Sequence, residues 1–121
     1  MALQESGEMY LESIFVLSQK NKTVHAIDVC EYMGYSKPSV SRAVKILREQ
    51  SYITVESDGN LCLTDKGLAL AQSIYQRHTV LTEFLKSLGV SDDVASNDAC
   101  KIEHVISEES LEKIKNKLYG K

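Results

Sequence analysis

The chain has 121 residues, one proline, three cysteines and a net charge of −3, enough for about one domain with a modest core. Its longest apolar run, residues 14–17, is far below the roughly 20 residues of a bilayer span. The acids in MALQESGEMY do not fit a signal peptide, and Cys30, Cys62 and Cys100 are too scattered for a disulfide framework or zinc knuckle. These features predict a cytoplasmic protein with no membrane partner.

Charge is unevenly placed. Residues 20–48 carry Lys20, Lys22, Lys37, Arg42, Lys45 and Arg48 against Asp28 and Glu31, whereas residues 83–112 carry eight acids against Lys86 and Lys101. A basic first half fits an anionic partner, and an acidic second half fits cations or simple solubility.

In chain order, GEMYLESIFVLSQK predicts a first helix, with Leu11, Ile14, Phe15 and Ser18 on one side and Met9 and Glu12 together nearby. After NKT, AIDVCEYMG predicts a short second helix stopped by Gly34. YSKPSVSRAVKILREQS predicts a third, with Ser36 as N-cap and Pro38 in the first turn, where a missing N–H costs little. Its Val40, Ala43, Val44 and Leu47 recur at i, i+3, i+4, i+7 and form a buried stripe. Ile53 and Val55, a turn with Asp58-Gly59, then Leu61 and Leu63 alternate as a β-hairpin does. From Thr64 to Gly89 runs one long predicted helix, its seam Leu68, Ala71, Tyr75, His78, Leu81, Leu85 and Leu88 suited to a partner helix or subunit. DDVASNDACKIEHVI and SEESLEKIKNKL predict two more helices, the second capped from Ser107.

Short helix, glycine turn, helix and hairpin is the order of a winged helix-turn-helix. A helix lies in the major groove when its outer face carries hydroxyls and basic groups while its inner face docks on a core. Ser36, Lys37, Ser39, Ser41 and Arg42 cluster at the third helix's N-terminal end, and Pro38, Arg42 and Lys45 fall opposite its apolar stripe. Lys45 and Arg48 suit backbone phosphates. The competing reading is an ordinary solvated helix face.

Further on, Cys100, Glu103 and His104 stand at i, i+3 and i+4. On a helix they span a sector of about 100°, so their heads can converge on a cation. Each has a plainer reading: Cys100 as a small buried hydrophobe, Glu103 as a solvated acid, His104 as a hydrogen-bonded ring. Met9 fits core filler equally well, and His78 on its apolar seam fits a structural role.

The segments EMYLESI, SKPSVSRAV, LCLTDKG, RHTVLTEFL and NDACKIEHVIS, in that order over residues 6–110, resemble the diphtheria toxin repressor family of metal-dependent transcriptional repressors. The resemblance implies a mainly α fold: a winged helix-turn-helix over residues 1–63, then a helical metal-binding and dimerisation domain over 64–121 that starts with the long linker helix. It has no counterpart of the SH3-like third domain of longer members. It implies a homodimer on double-stranded operator DNA, with Fe(II) or Mn(II) as corepressor and no small organic substrate.

Residue by residue, Met9, Cys100, Glu103 and His104 match the iron-type primary site, where manganese-type members carry Asp and Glu in place of the first two. Glu12 matches a manganese-type ligand, and His78 a histidine used in both branches. Thr82 and Ser96 stand where the ancillary site has a glutamate and a histidine. A thioether and a thiolate shift preference toward softer, later metals, so Zn(II), Co(II) and Ni(II) are expected to bind in vitro.

Two rivals remain at this stage. One is a winged-helix DNA binder that no longer responds to metal. The other, a small metal-dependent hydrolase, lacks an H-E-x-x-H motif, a nucleophile elbow or a glycine-rich phosphate loop.

Overall fold

The structure, a computed structural model, describes residues 5–120. Six helices and one hairpin follow the predicted order: α1 (Glu5–Lys20), α2 (Ala26–Met33), α3 (Lys37–Glu49), β1 (Ile53–Val55), β2 (Leu61–Leu63), α4 (Asp65–Ser87), α5 (Asp92–Ile102) and α6 (Glu108–Tyr119). The chain divides into two compact units, residues 1–72 and 73–121, and α4 continues across their boundary. Among the described residues no helix is long and apolar enough to cross a membrane.

In the first unit α1 packs against both α2 and α3. Leu11, Ile14 and Phe15 of α1, Val29 and Cys30 of α2, Val40 and Leu47 of α3, and Ile53 and Leu61 of the hairpin share one core. The α3 stripe thus buries as predicted, most fully at Val40 and Leu47, with Ala43 and Val44 half-buried. Ser36 caps α3, its hydroxyl accepting from the Ser39 N–H at 3.4 Å, and Pro38 sits in the first turn. Between α2 and α3 the chain turns at Gly34, whose φ of 74° lies in the left-handed region.

The hairpin is antiparallel, with Ile53 opposite Leu63 and Val55 opposite Leu61. Val24, just before α2, lies alongside it: its carbonyl accepts from Leu61 N–H at 2.7 Å, and its N–H donates to Asn60 Oδ1 at 2.9 Å. Thr64 ties the wing to α4. Its hydroxyl accepts from Gly67 N–H, capping the helix, and donates to the carbonyls of Ser51 at 2.6 Å and Tyr52 at 3.1 Å. Lys66 adds a bond to the Gln50 carbonyl and lies 4.3 Å over the Tyr52 ring. At the end of α3, Tyr52 N–H returns to the Leu47 carbonyl and Ser51 N–H to that of Arg48, a Schellman closure with Ser51 at φ 66°.

In the second unit Val80, Leu81, Ala99 and Leu111 form a smaller core, with Ile102, Ile106 and Ile114 against it. The predicted α4 seam is only partly buried. Ala71 and Leu81 are enclosed, but Leu68, Tyr75 and Leu88 are exposed, while Ile74 and Val80 outside the seam are buried. One periodic stripe cannot describe a helix whose two ends enter different cores.

The C-terminal helices also differ from expectation. The helix expected to run through Ile106 stops at Ile102. Val105 N–H then bonds the Ile102 carbonyl, tightening residues 103–105 into a turn, and Ser107 caps α6 through the Ser110 N–H at 3.1 Å. Ser107 itself is in extended backbone, as its cap position requires.

The base of the wing yields a stability prediction. A Cβ on Gly67 would collide with the Tyr52 carbonyl, itself held by Thr64. Gly67→Ala is expected to destabilise the chain by about 2–4 kcal/mol despite its better helix propensity. Ser51→Gly, relieving a positive φ, is expected to add about 0.5–1 kcal/mol. Urea unfolding of both variants checks this, and a neutral Gly67→Ala would contradict it.

Candidate DNA interface and metal centre

The outer face of α3 meets the requirements set by its sequence. Ser36, Lys37, Pro38, Ser41, Arg42 and Lys45 are exposed and Ser39 is half-buried. Ser36 Oγ donates to Ser39 Oγ at 3.0 Å, and Arg42 Nη2 donates to Ser39 Oγ at 3.5 Å. The helix thus presents two hydroxyls and a guanidinium as one connected group at its N-terminal end, where the backbone N–H groups also favour phosphate.

The first helix reaches this face through an aromatic pair. Tyr10 of α1 is buried, and its ring lies 5.8 Å from that of Tyr35, which sits in the turn before α3. Burial, and next the nearby Tyr35 hydroxyl, raise the Tyr10 hydroxyl above its ordinary value, with Arg42 pulling the other way. Met9 and Glu12, on either side of Tyr10 and Leu11, are half-buried on α1. In the wing, burial and next Glu56 push the Cys62 thiol up, so it is a poor thiolate at neutral pH.

The second unit gathers three of the expected metal residues. Glu103 is fully buried, and neither carboxylate oxygen receives a hydrogen bond among the described residues. His78 Nδ1 of α4 lies 3.3 Å from Glu103 Oε1, and His104 Nε2 lies 3.9 Å from the same oxygen. Tyr75 stacks one turn before His78, ring centroids 6.4 Å apart, and Thr82 Oγ1 donates to the His78 carbonyl at 2.7 Å. The main-chain carbonyl of Glu103 accepts from Arg77 Nη1 at 2.7 Å. Cys100 lies in the last turn of α5 and is exposed.

Spacing alone placed Glu103 and His104 on a helix with Cys100, whereas they project from the turn that follows it. The sequence reading also missed Arg77 and the Tyr10–Tyr35 pair. No spacing rule flags an arginine that acts on a main-chain carbonyl, or two tyrosines that meet only in three dimensions.

A buried carboxylate without a donor costs several kcal/mol unless a positive charge offsets it. Oxygen and imidazole donors at this separation suit Mn(II) or Fe(II), so the residues fit a divalent cation on chemical grounds.

Residues 2–61 match the N-terminal DNA-binding domain of iron-dependent repressors, and residues 64–119 match the iron-dependent repressor metal-binding and dimerisation domain. The chain belongs to the iron-dependent repressor family. The resemblance of its motifs to diphtheria-toxin-repressor-type proteins and the winged-helix fold drawn from it are both confirmed.

Within the iron-dependent repressor family, an uncharacterised helix-turn-helix transcriptional regulator of Methanocaldococcus jannaschii is 30% identical over 115 residues, spanning 93% of this chain and 92% of that one. The transcriptional regulator MntR of Geobacillus kaustophilus is 31% identical over 109 residues, spanning 90% and 77%. The manganese regulator SloR superposes with a TM-score of 0.82 at 29% identity, spanning 99% of this chain and 55% of that one. The chain therefore spans about half the length of that solved structure. The family is one of transcriptional repressors, not of enzymes.

The bare carboxylate generates a test. Glu103→Gln removes the buried charge, so the metal-free variant is expected to be more stable than wild type by about 1–2 kcal/mol in urea. The stabilisation of wild type by Mn(II), about 2.7 kcal/mol at a hundredfold excess over Kd, is expected to vanish in the variant. A metal-free variant less stable than wild type would show that the charge is already compensated.

Proposed function

We propose that the chain is a dimeric, metal-dependent transcriptional repressor with Fe(II) or Mn(II) as corepressor. In this reading residues 1–63 bind DNA and residues 64–121 bind metal and dimerise. The observation that carries it is Glu103, a fully buried carboxylate without a hydrogen-bond donor among the described residues, beside two imidazoles in a chain whose other unit is a winged helix-turn-helix.

Glu103, His104 and His78 would hold the cation, joined by Met9 and Glu12 of α1 and by Cys100. Bound, the cation would supply positive charge opposite the Glu103 carboxylate and be shared by the side chains that hold it. Met9 and Cys100 favour iron and Glu12 favours manganese. Both imidazoles bind in their deprotonated form, so affinity falls as pH drops below neutral.

The reading-head side of the mechanism follows from α1. Its Tyr10 packs on Tyr35 beside α3, so whatever holds α1 would also restrict the helices that meet DNA. Ser39 and Arg42 would meet base edges, with Ser36, Lys37, Pro38 and Ser41 at the groove and Lys45 on phosphate. In a homodimer two such helices meet half-sites one or more turns apart, with affinity highest in the metal-bound state. By reciprocity, operator DNA tightens metal binding by the same factor. A metal-blind regulator, the second reading from sequence, leaves the buried Glu103 carboxylate beside His78 and His104 without a role.

Fluorescence anisotropy with a duplex selected from a random pool tests this. Mn(II) or Fe(II) is expected to tighten binding by about 10- to 100-fold over excess chelator, and equal affinity in both would sink the proposal. Lys45→Ala is expected to weaken all duplexes alike and lower the salt slope by about one.

A further inference from the structure

Glu103 and His104 act from a turn, which has none of the intrinsic rigidity of a helix. The α5 hydrogen-bond ladder has ended at Ile102, so the Glu103 carbonyl is one of the acceptors a helix leaves without a main-chain donor. Arg77 meets that need. It extends from α4, one residue before His78, and its Nη1 donates to the Glu103 carbonyl at 2.7 Å across 26 residues of sequence. Such a bond from a charged donor is short, directional and about twice as strong as a neutral one. The backbone of the turn is otherwise held by local bonds, from Glu103 N–H to the Ala99 carbonyl and from Val105 and Ile106 N–H to the Ile102 carbonyl. Those fix its pitch but do not tie it to α4.

We propose that Arg77 is a positioning residue for the metal centre: by clamping the Glu103 carbonyl to α4 it sets the turn from which Glu103 and His104 face His78. The inference rests on the reading that these residues hold the cation. It adds a reason for arginine, since α4 contributes consecutive residues with different tasks. His78 offers a ring nitrogen to the site, and Arg77 holds the backbone of the opposing ligands in register with it. Arginine carries two tasks that an apolar residue cannot: it satisfies a carbonyl at a helix end and it crosses to a second element. Partners of this kind change metal affinity by about 10- to 100-fold when removed, though they touch no metal.

The test uses Co(II), whose visible absorption reports ligand number and geometry, together with Mn(II) titration by calorimetry. Arg77→Met is expected to remain folded by circular dichroism, to bind both metals at least about tenfold more weakly, and to show a shifted Co(II) spectrum at saturation. Arg77→Lys, which keeps one charged donor, is expected to recover most of the affinity and the wild-type spectrum. A merely structural role would lower stability and leave the saturated spectrum unchanged. If Arg77→Met does not fold, Arg77→Gln, too short to reach the carbonyl, takes its place with the same expected loss. Wild-type affinity and spectrum in either folded variant, with Glu103→Gln abolishing binding, would overturn the role of Arg77 alone. Absence of metal binding by wild type would overturn both this proposal and the function on which it rests.

Discussion

A carboxylate taken out of water and given no hydrogen-bond donor among the described residues is the constraint on which the second unit is organised. Glu103 is enclosed completely, while the imidazoles beside it stand within 4 Å of one of its oxygens. A small core of Val80, Leu81, Ala99 and Leu111 could be closed with an apolar side chain at this position at less expense. Retaining an acid there fits the cation site proposed above. In that proposal His78 on α4 would hold the ion together with Glu103 and His104 on the turn after α5.

The first unit solves a different problem. The outer face of α3 stays polar and exposed while the same helix anchors the core, and α3 does both by separating Val40 and Leu47 from Arg42 and Lys45 around its axis. The wing is secured at its base, not along its two three-residue strands. Thr64, Gly67, Ser51 and Tyr52 form a compact knot that joins the end of α3, both strands and the start of α4. Strands this short gain little from their own pairing, so the knot carries the positional information.

The fold was largely legible in the sequence because its signals are local. Gly34, the Ser36 cap, the alternation around Asp58-Gly59 and the Ser107 cap each act within a few residues. The expectation of a metal site rested mainly on resemblance. Spacing alone assumed that one helix carried Cys100, Glu103 and His104, whereas the helix ends at Ile102 and the last two stand in the turn after it. The α4 seam misled for a related reason, since a single periodicity was asked to describe a helix serving two cores. Arg77 was invisible because its partner is a backbone atom 26 residues away.

A cation at the proposed site would also bear on how long each copy of the protein survives. Bound to the folded chain alone, it would make unfolding rarer, and unfolded chains are what cellular proteases degrade. Under the proposed mechanism the metal-free form would then be both the one with lower DNA affinity and the one cleared sooner. Turnover and occupancy would pull in the same direction, so the abundance of the regulator would follow the supply of the ion.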